Sequence, residues 1–121
     1  MIGIGVDVVD IDRFRRSLER TPSMRERLFT EVELEYVAPQ ADPVPSLAAR
    51  FAAREAVMKS LGLGLGAFGF HDVWVERAES GAPSLRVTSR AAELAAAAGV
   101  ARWHLSLTHS DLVAVAYVVA E

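Results

Sequence analysis

The sequence predicts an α+β domain in which a mainly antiparallel sheet packs against one long helix. Three observations predict it. The segments run strand, three short helices, a long helix, two strands, a helix and two strands. The strands of the second half are joined by short polar turns, which suits antiparallel pairing. The chain has 121 residues, 51% of them hydrophobic, enough for one core of its own. Residues 1–121 are therefore read as a single domain.

Ile2, Ile4, Val6 and Val8 alternate with Gly3, Gly5, Asp7 and Val9, so the first strand has one fully apolar face. The other face sets two glycines beside Asp7. Glycine weakens a strand and marks the close approach of another backbone or a ligand. A helix over 10–20 follows, with Asp10 as N-cap and Ile11, Phe14 and Leu18 on one face. Thr21-Pro22 ends it, and a short helix covers 23–28. Thr30-x-x-Glu33 has the form of a capping box opening a helix to about Val37. The stretch APQADPVPS is expected to be a loop, the segment most prone to disorder. Ser46 is the expected cap of the long helix, Leu47 to Leu61, and Gly62 stops it.

The second half changes character. LGLGAFGF is a glycine-rich connection. HDVWVER reads as a strand with Val73 and Val75 on one side, AESGAPS as a hairpin turn, and LRVTS as the returning strand. The alanine-dense segment 91–98 is helical and ends at Gly99. RWHLSLTH is a strand with Trp103, Leu105 and Leu107 inward; His104, Ser106 and Thr108 share the opposite face. LVAVAYVVA is apolar on both sides, which suits a central strand or one covered by another subunit.

Composition narrows the chemistry. There is no cysteine, so disulfides, thiolate catalysis and cysteine-bound zinc are excluded. No signal peptide is evident, and the apolar run 112–120 is about half of what a membrane-spanning helix requires. A soluble, cytoplasmic protein with no membrane partner is expected. The net charge of −3 is mild, yet Arg13, Arg15, Arg16, Arg20, Arg25 and Arg27 crowd into the first quarter. Such a patch steers an acidic partner.

Two carboxylates stand where carboxylates are disfavoured. Asp7 lies among valines in a strand. Glu55, in FAAREAVMK, shares a helix side with Phe51, Ala52, Met58 and Lys59. Each has a plain alternative: Asp7 as a strand-end cap, Glu55 as the i,i+4 partner of Lys59. A single divalent cation would explain both. Two protein oxygens are too few for Ca²⁺ but suit Mg²⁺, which keeps waters and takes further ligands from substrate phosphates. Lys59 lies one turn on and can offer positive charge to such a phosphate; Arg50 and Arg54 lie on a different side of the helix, with Arg50 either reaching a phosphate or solvated. Ser106, His109 and Ser110 form a polar strand end suited to phosphate contact, with Asp111 beside them, or simply a polar hairpin turn. The run Ser-His-Asp is not a hydrolase triad, since a triad is defined by geometry and no nucleophile elbow is present. The glycine run at Gly62 and Gly64 fits neither the dinucleotide nor the Walker fingerprint. It is a connector, or a backbone path along an extended ligand.

Three stretches together resemble a known family. Gly5-Val6-Asp7, Arg54-Glu55-Ala56-Val57-Met58-Lys59 and Ser106-Leu107-Thr108-His109 match, in order and spacing, the motifs of the small 4′-phosphopantetheinyl transferases, the holo-acyl-carrier-protein synthase class. The resemblance runs from end to end. It implies that fold, and transfer of the phosphopantetheine arm from coenzyme A to a serine of apo acyl carrier protein with release of 3′,5′-ADP. It implies Mg²⁺ on Asp7 and Glu55, Lys59 on phosphate charge, and His109, Ser110 and Arg50 at the 3′-phosphoadenosine end. It also implies a homotrimer with each active site between subunits. Either Glu55 or a metal-bound water would accept the serine proton, and Asp111 is a further candidate. The family usually has lysine at the position of Arg54. Arginine stays protonated, which argues against proton transfer there.

Acyl carrier proteins are acidic, and Arg13, Arg16 and Arg20 fall at i, i+3 and i+7, on one helix face that would dock one. Two other readings compete. A noncatalytic module binding coenzyme A or a carrier protein would not need the metal pair. A nucleic-acid binder fits poorly with negative net charge and few aromatics.

Overall fold

The computed structural model describes residues 1–121. Strand β1 (Gly3–Asp10) leads into helices α1 (Ile11–Arg20), α2 (Met24–Leu28) and α3 (Glu31–Val37). The long α4 (Val44–Ser60) follows, then a single 3-10 turn (Phe70–Asp72), the hairpin β2 (Val73–Arg77) and β3 (Pro83–Val87), α5 (Ser89–Ala97), and β4 (Trp103–His109) with β5 (Val113–Ala120). The expected order holds throughout. The single sheet expected does not: three strands pair antiparallel in the order β1-β5-β4, while β2 and β3 form a separate two-stranded sheet. β5 is the central strand, as its two apolar faces predict.

Local signals set the helix ends where local partners exist. Asp10 accepts the Arg13 N–H at 2.9 Å. Thr30 and Glu33 close the capping box reciprocally. Gly62, at φ +69, donates to Lys59 O while Leu63 donates to Met58 O, a Schellman ending for α4. The start of α4 differs from expectation. It begins at Val44, three residues early, and Ser46 is not its cap; Ser46 Oγ donates to Gln40 Oε1. Proline suits the first turn of a helix, whose N–H groups lack partners anyway. The segment expected to be most disorder-prone is tied down: Arg15 grips Asp42 with two bonds, and Asp42 accepts the Val44 N–H.

Helix α4 lies on the inner face of the three-stranded sheet. The strands allow this because that face is made of small residues: Gly3 and Gly5 on β1, and Ala114, Ala116 and Ala120 with Val118 on β5. The glycines are required by backbone, not ligand. A Cβ on Gly5 would sit 1.8 Å from Ala56 O, and one on Gly3 1.9 Å from Ser60 O. Two strand residues advance about 6.6 Å and four helix residues about 6 Å, so Gly-x-Gly keeps step with one turn of helix. The fully apolar face of β1 is consequently the outer one, with Ile2, Ile4, Val6 and Val8 between 46% and 59% exposed. Tyr117 of β5 lies beside Val6 on that same face.

Two clusters flank α4. One joins α1, α2 and α3 to its first half through Ile11, Phe14, Leu18, Phe29 and Leu47. The other joins its second half to both sheets and α5 through Val57, Met58, Val73, Val75 and Val118.

Candidate active site

The close seating of α4 on β1 brings the two acids together. Asp7 shares the helix-facing side of β1 with Gly3 and Gly5, and Glu55 adjoins Ala56, whose carbonyl touches Gly5. Both carboxylates line one cleft of about 330 Å³, with Val9, Asp10, Arg13, Phe14, Ser17 and Phe51 among its walls. Partial burial and the charge of Asp7 push the Glu55 carboxyl above the usual glutamate range, with Lys59 pulling the other way. Two repelling carboxylates, one of them resisting ionisation, form a donor pair that a dication satisfies. No cluster of three or more acids or histidines forms a metal site. Two carboxylates alone would suit only a metal that draws its remaining ligands from water and substrate, as Mg²⁺ does.

Lys59 does not pair with Glu55 one turn back. Its ammonium donates to Asp7 Oδ1 at 3.0 Å and to the Val6 carbonyl at 3.0 Å, both on β1. The strand lies within reach because the glycines let it in. Arg13 lines the acid cleft and also, with Arg16, Ser17 and Arg20, a wholly polar groove of about 260 Å³ on α1. The arginine groove and the acid cleft thus share Arg13 and Ser17.

The other candidates lie elsewhere in the chain. Ser106 sits on the outer sheet face. His109, Ser110 and Asp111 are exposed at the β4-β5 turn, where Ser110 Oγ accepts the N–H groups of Leu112 and Val113. None of these lines the Asp7 cleft, nor do Gly62 and Gly64. Arg50 is neither solvated nor in that cleft. It is 1% exposed, stacks on Tyr36 at 4.6 Å, and donates to Ser46 O. Burial lowers its affinity for the proton.

Sequence reasoning missed the buried pair of Arg54 and Glu33. Glu33 serves both as a capping-box glutamate and as the acceptor of the Arg54 guanidinium and the Val75 N–H. Arg54 Nε also donates to Phe70 O at 2.7 Å. The only sequence sign was two arginines four apart on a helix rich in alanine and other apolar residues. Ser17 in the cleft carried no sign at all.

Fold and site define a class. The chain matches the model of the 4′-phosphopantetheinyl transferase superfamily over residues 3–118, and it belongs to that superfamily. Within it, the chain is 53% identical to the holo-[acyl-carrier-protein] synthase of Streptomyces avermitilis, covering 100% of this chain and 98% of the relative. The structure superimposes on the holo-[acyl-carrier-protein] synthase of Neisseria meningitidis with a TM-score of 0.90, at 31% identity over 100% of this chain and 98% of the other. A synthase from Bacillus anthracis, in complex with coenzyme A (3′,5′-ADP), aligns at TM-score 0.82 and 32% identity, covering 99% of this chain and 96% of that one.

Proposed function

We propose that this chain is the enzyme that moves the 4′-phosphopantetheine arm of coenzyme A onto a serine hydroxyl of apo acyl carrier protein, releasing 3′,5′-ADP. The observation that carries this reading is the cleft shared by Asp7 and Glu55, with Lys59 bonded to Asp7 at its edge. Residues 1–121 act as one phosphopantetheinyl transferase domain.

Asp7 and Glu55 are the residues that would hold Mg²⁺, which when bound neutralises charge on the coenzyme A pyrophosphate. The chain's own groups do the remainder. Phosphoryl transfer asks mainly for positioning and charge stabilisation. Lys59 supplies a positive charge to the phosphate. Either Glu55 or a water held by the metal would take the serine proton. Arg13, Arg16 and Arg20 dock the acidic carrier, and Arg13 brings the acceptor end of that groove to the acids.

In this reading the 3′-phosphoadenosine end meets Ser106, His109 and Ser110, with Gly62 and Gly64 as further contacts and Asp111 assisting catalysis, while Arg50, buried against Tyr36, takes no part. The β4-β5 turn does not line the cleft of its own chain, so a neighbouring copy supplies it. The occupant of the outer sheet face is a second copy, and three copies close the assembly with sites between them. The exposed Ile2, Ile4, Val6, Val8 and Tyr117 support this, because so apolar a face is unusual on a free monomer. No helix is long and apolar enough to cross a membrane, and the cytoplasm is the compartment we assign.

The test incubates the protein with apo acyl carrier protein, coenzyme A and Mg²⁺ and weighs the carrier by mass spectrometry. A gain of one phosphopantetheine on the carrier serine is expected. No gain on any of several carriers would leave a binding module.

A further inference from the structure

We infer that Lys59 is a placeholder cation that keeps a divalent metal off Asp7 until a phosphate-bearing substrate draws the ammonium away, making metal and substrate binding mutually dependent. The inference rests on the reading of Asp7 and Glu55 as the metal pair.

The geometry is specific. Of two acids in the cleft, Lys59 chooses the one across the strand, not the one a turn away on its own helix. Its ammonium occupies Asp7 Oδ1 and is steadied by the Val6 carbonyl. A dication binding the same carboxylate meets that ammonium at close range, and the two repel. Metal and ammonium therefore compete for Asp7, and metal entry is favoured when Lys59 leaves.

Leaving is easy once there is somewhere to go. The Lys59 side chain is 53% exposed, and an exposed ion pair holds weakly. The ammonium sits on a flexible four-carbon stem and can turn to a phosphate without any change in α4. Charge balance points the same way. Two acids against one ammonium leave one net negative charge, and Arg13 and Asp10, which also line the cleft, offset each other. A dication alone makes this cluster positive, with Lys59 displaced to nowhere. A dication arriving with a pyrophosphate brings the anion that Lys59 needs. By linkage, each ligand then raises the affinity for the other by the same factor.

The experiment measures Mn²⁺ binding by electron paramagnetic resonance, with and without coenzyme A, in the wild type, Lys59→Gln, Lys59→Arg and Asp7→Asn. Circular dichroism confirms that each variant folds, and Lys59→Met stands in should Lys59→Gln not. Lys59→Gln is expected to bind Mn²⁺ alone about tenfold more tightly than the wild type, the range of a typical coupling between sites. The tightening by coenzyme A shrinks by a similar factor, and Lys59→Arg keeps it. Mn²⁺ carried by coenzyme A itself is common to all chains and cancels in the comparison. Equal Mn²⁺ affinity in the wild type and Lys59→Gln, with Asp7→Asn still weakening it, overturns the placeholder and spares the metal pair. Unchanged Mn²⁺ binding in Asp7→Asn overturns both.

Discussion

Arg54 and Glu33 meet in the interior through two bonds, Nη1 to Oε2 at 2.9 Å and Nη2 to Oε1 at 2.5 Å, with both side chains fully buried. They join α4 to α3, and Glu33 extends the link to β2 through the Val75 N–H. The pair sits on the side of α4 away from the acids, so it bears on stability before chemistry.

Removing one partner strands the other charge. Glu33→Ala or Arg54→Ala is expected to cost about 3–5 kcal/mol, read as a fall in the urea midpoint. Arg54→Lys restores the usual family residue but not the fork. It is expected to cost about 1–3 kcal/mol, from the lost second bond and the lost contact with the Phe70 carbonyl, while leaving turnover nearly unchanged.

Gly5→Ala tests the seating of the helix. Its Cβ meets the Ala56 carbonyl at 1.8 Å, and backbone cannot swing aside as a side chain can. A loss of at least about 1–3 kcal/mol is expected from overpacking. Because the shift separates Asp7 from Glu55, turnover should fall further than unfolding accounts for when both are measured at a temperature where the variant is folded.

Glu55→Gln and Asp7→Asn should each abolish Mg²⁺-dependent transfer while the fold survives; wild-type rates in either would refute the metal assignment. Stability carries a sign of its own. The folded-state pKa of Glu55 is raised above its ordinary 4.5, so the folded protein holds that proton longer than the unfolded chain does. Stability from this group is present below the ordinary value and is lost as pH rises through the raised one. In metal-free protein, Glu55→Gln is therefore expected to stabilise at neutral pH. Thermal melts should show that gain disappearing as the pH falls below the glutamate range.

The arginine groove separates docking from chemistry. Arg16→Glu and Arg20→Glu should raise the KM for carrier protein, leave that for coenzyme A unchanged, and weaken the dependence on salt. Arg13→Glu should also lower kcat, because Arg13 lines the acid cleft. Equal changes in both KM values for Arg20→Glu would remove the docking face.

Val6→Asp should dissociate the proposed trimer, since it places a charge in the middle of the outer apolar face. Sedimentation velocity would report monomer. Activity should fall with it if a neighbouring copy supplies His109.

The order of elements, most of the caps and the three motifs in register are legible along the chain. Capping boxes, a glycine stop and alternation are decided within a few residues, so Thr30 with Glu33 and Gly62 after α4 could be read directly. Tertiary structure decided what depends on distant partners. The glycine face of β1, not its apolar face, turned inward because only it lets the helix backbone approach. Lys59 left its helical neighbour for Asp7, 52 residues away, and Arg54 was buried by Glu33, 21 residues away. The acids themselves were visible as misplaced charges, but their common cleft exists only because Gly3 and Gly5 allow a strand and a helix to touch.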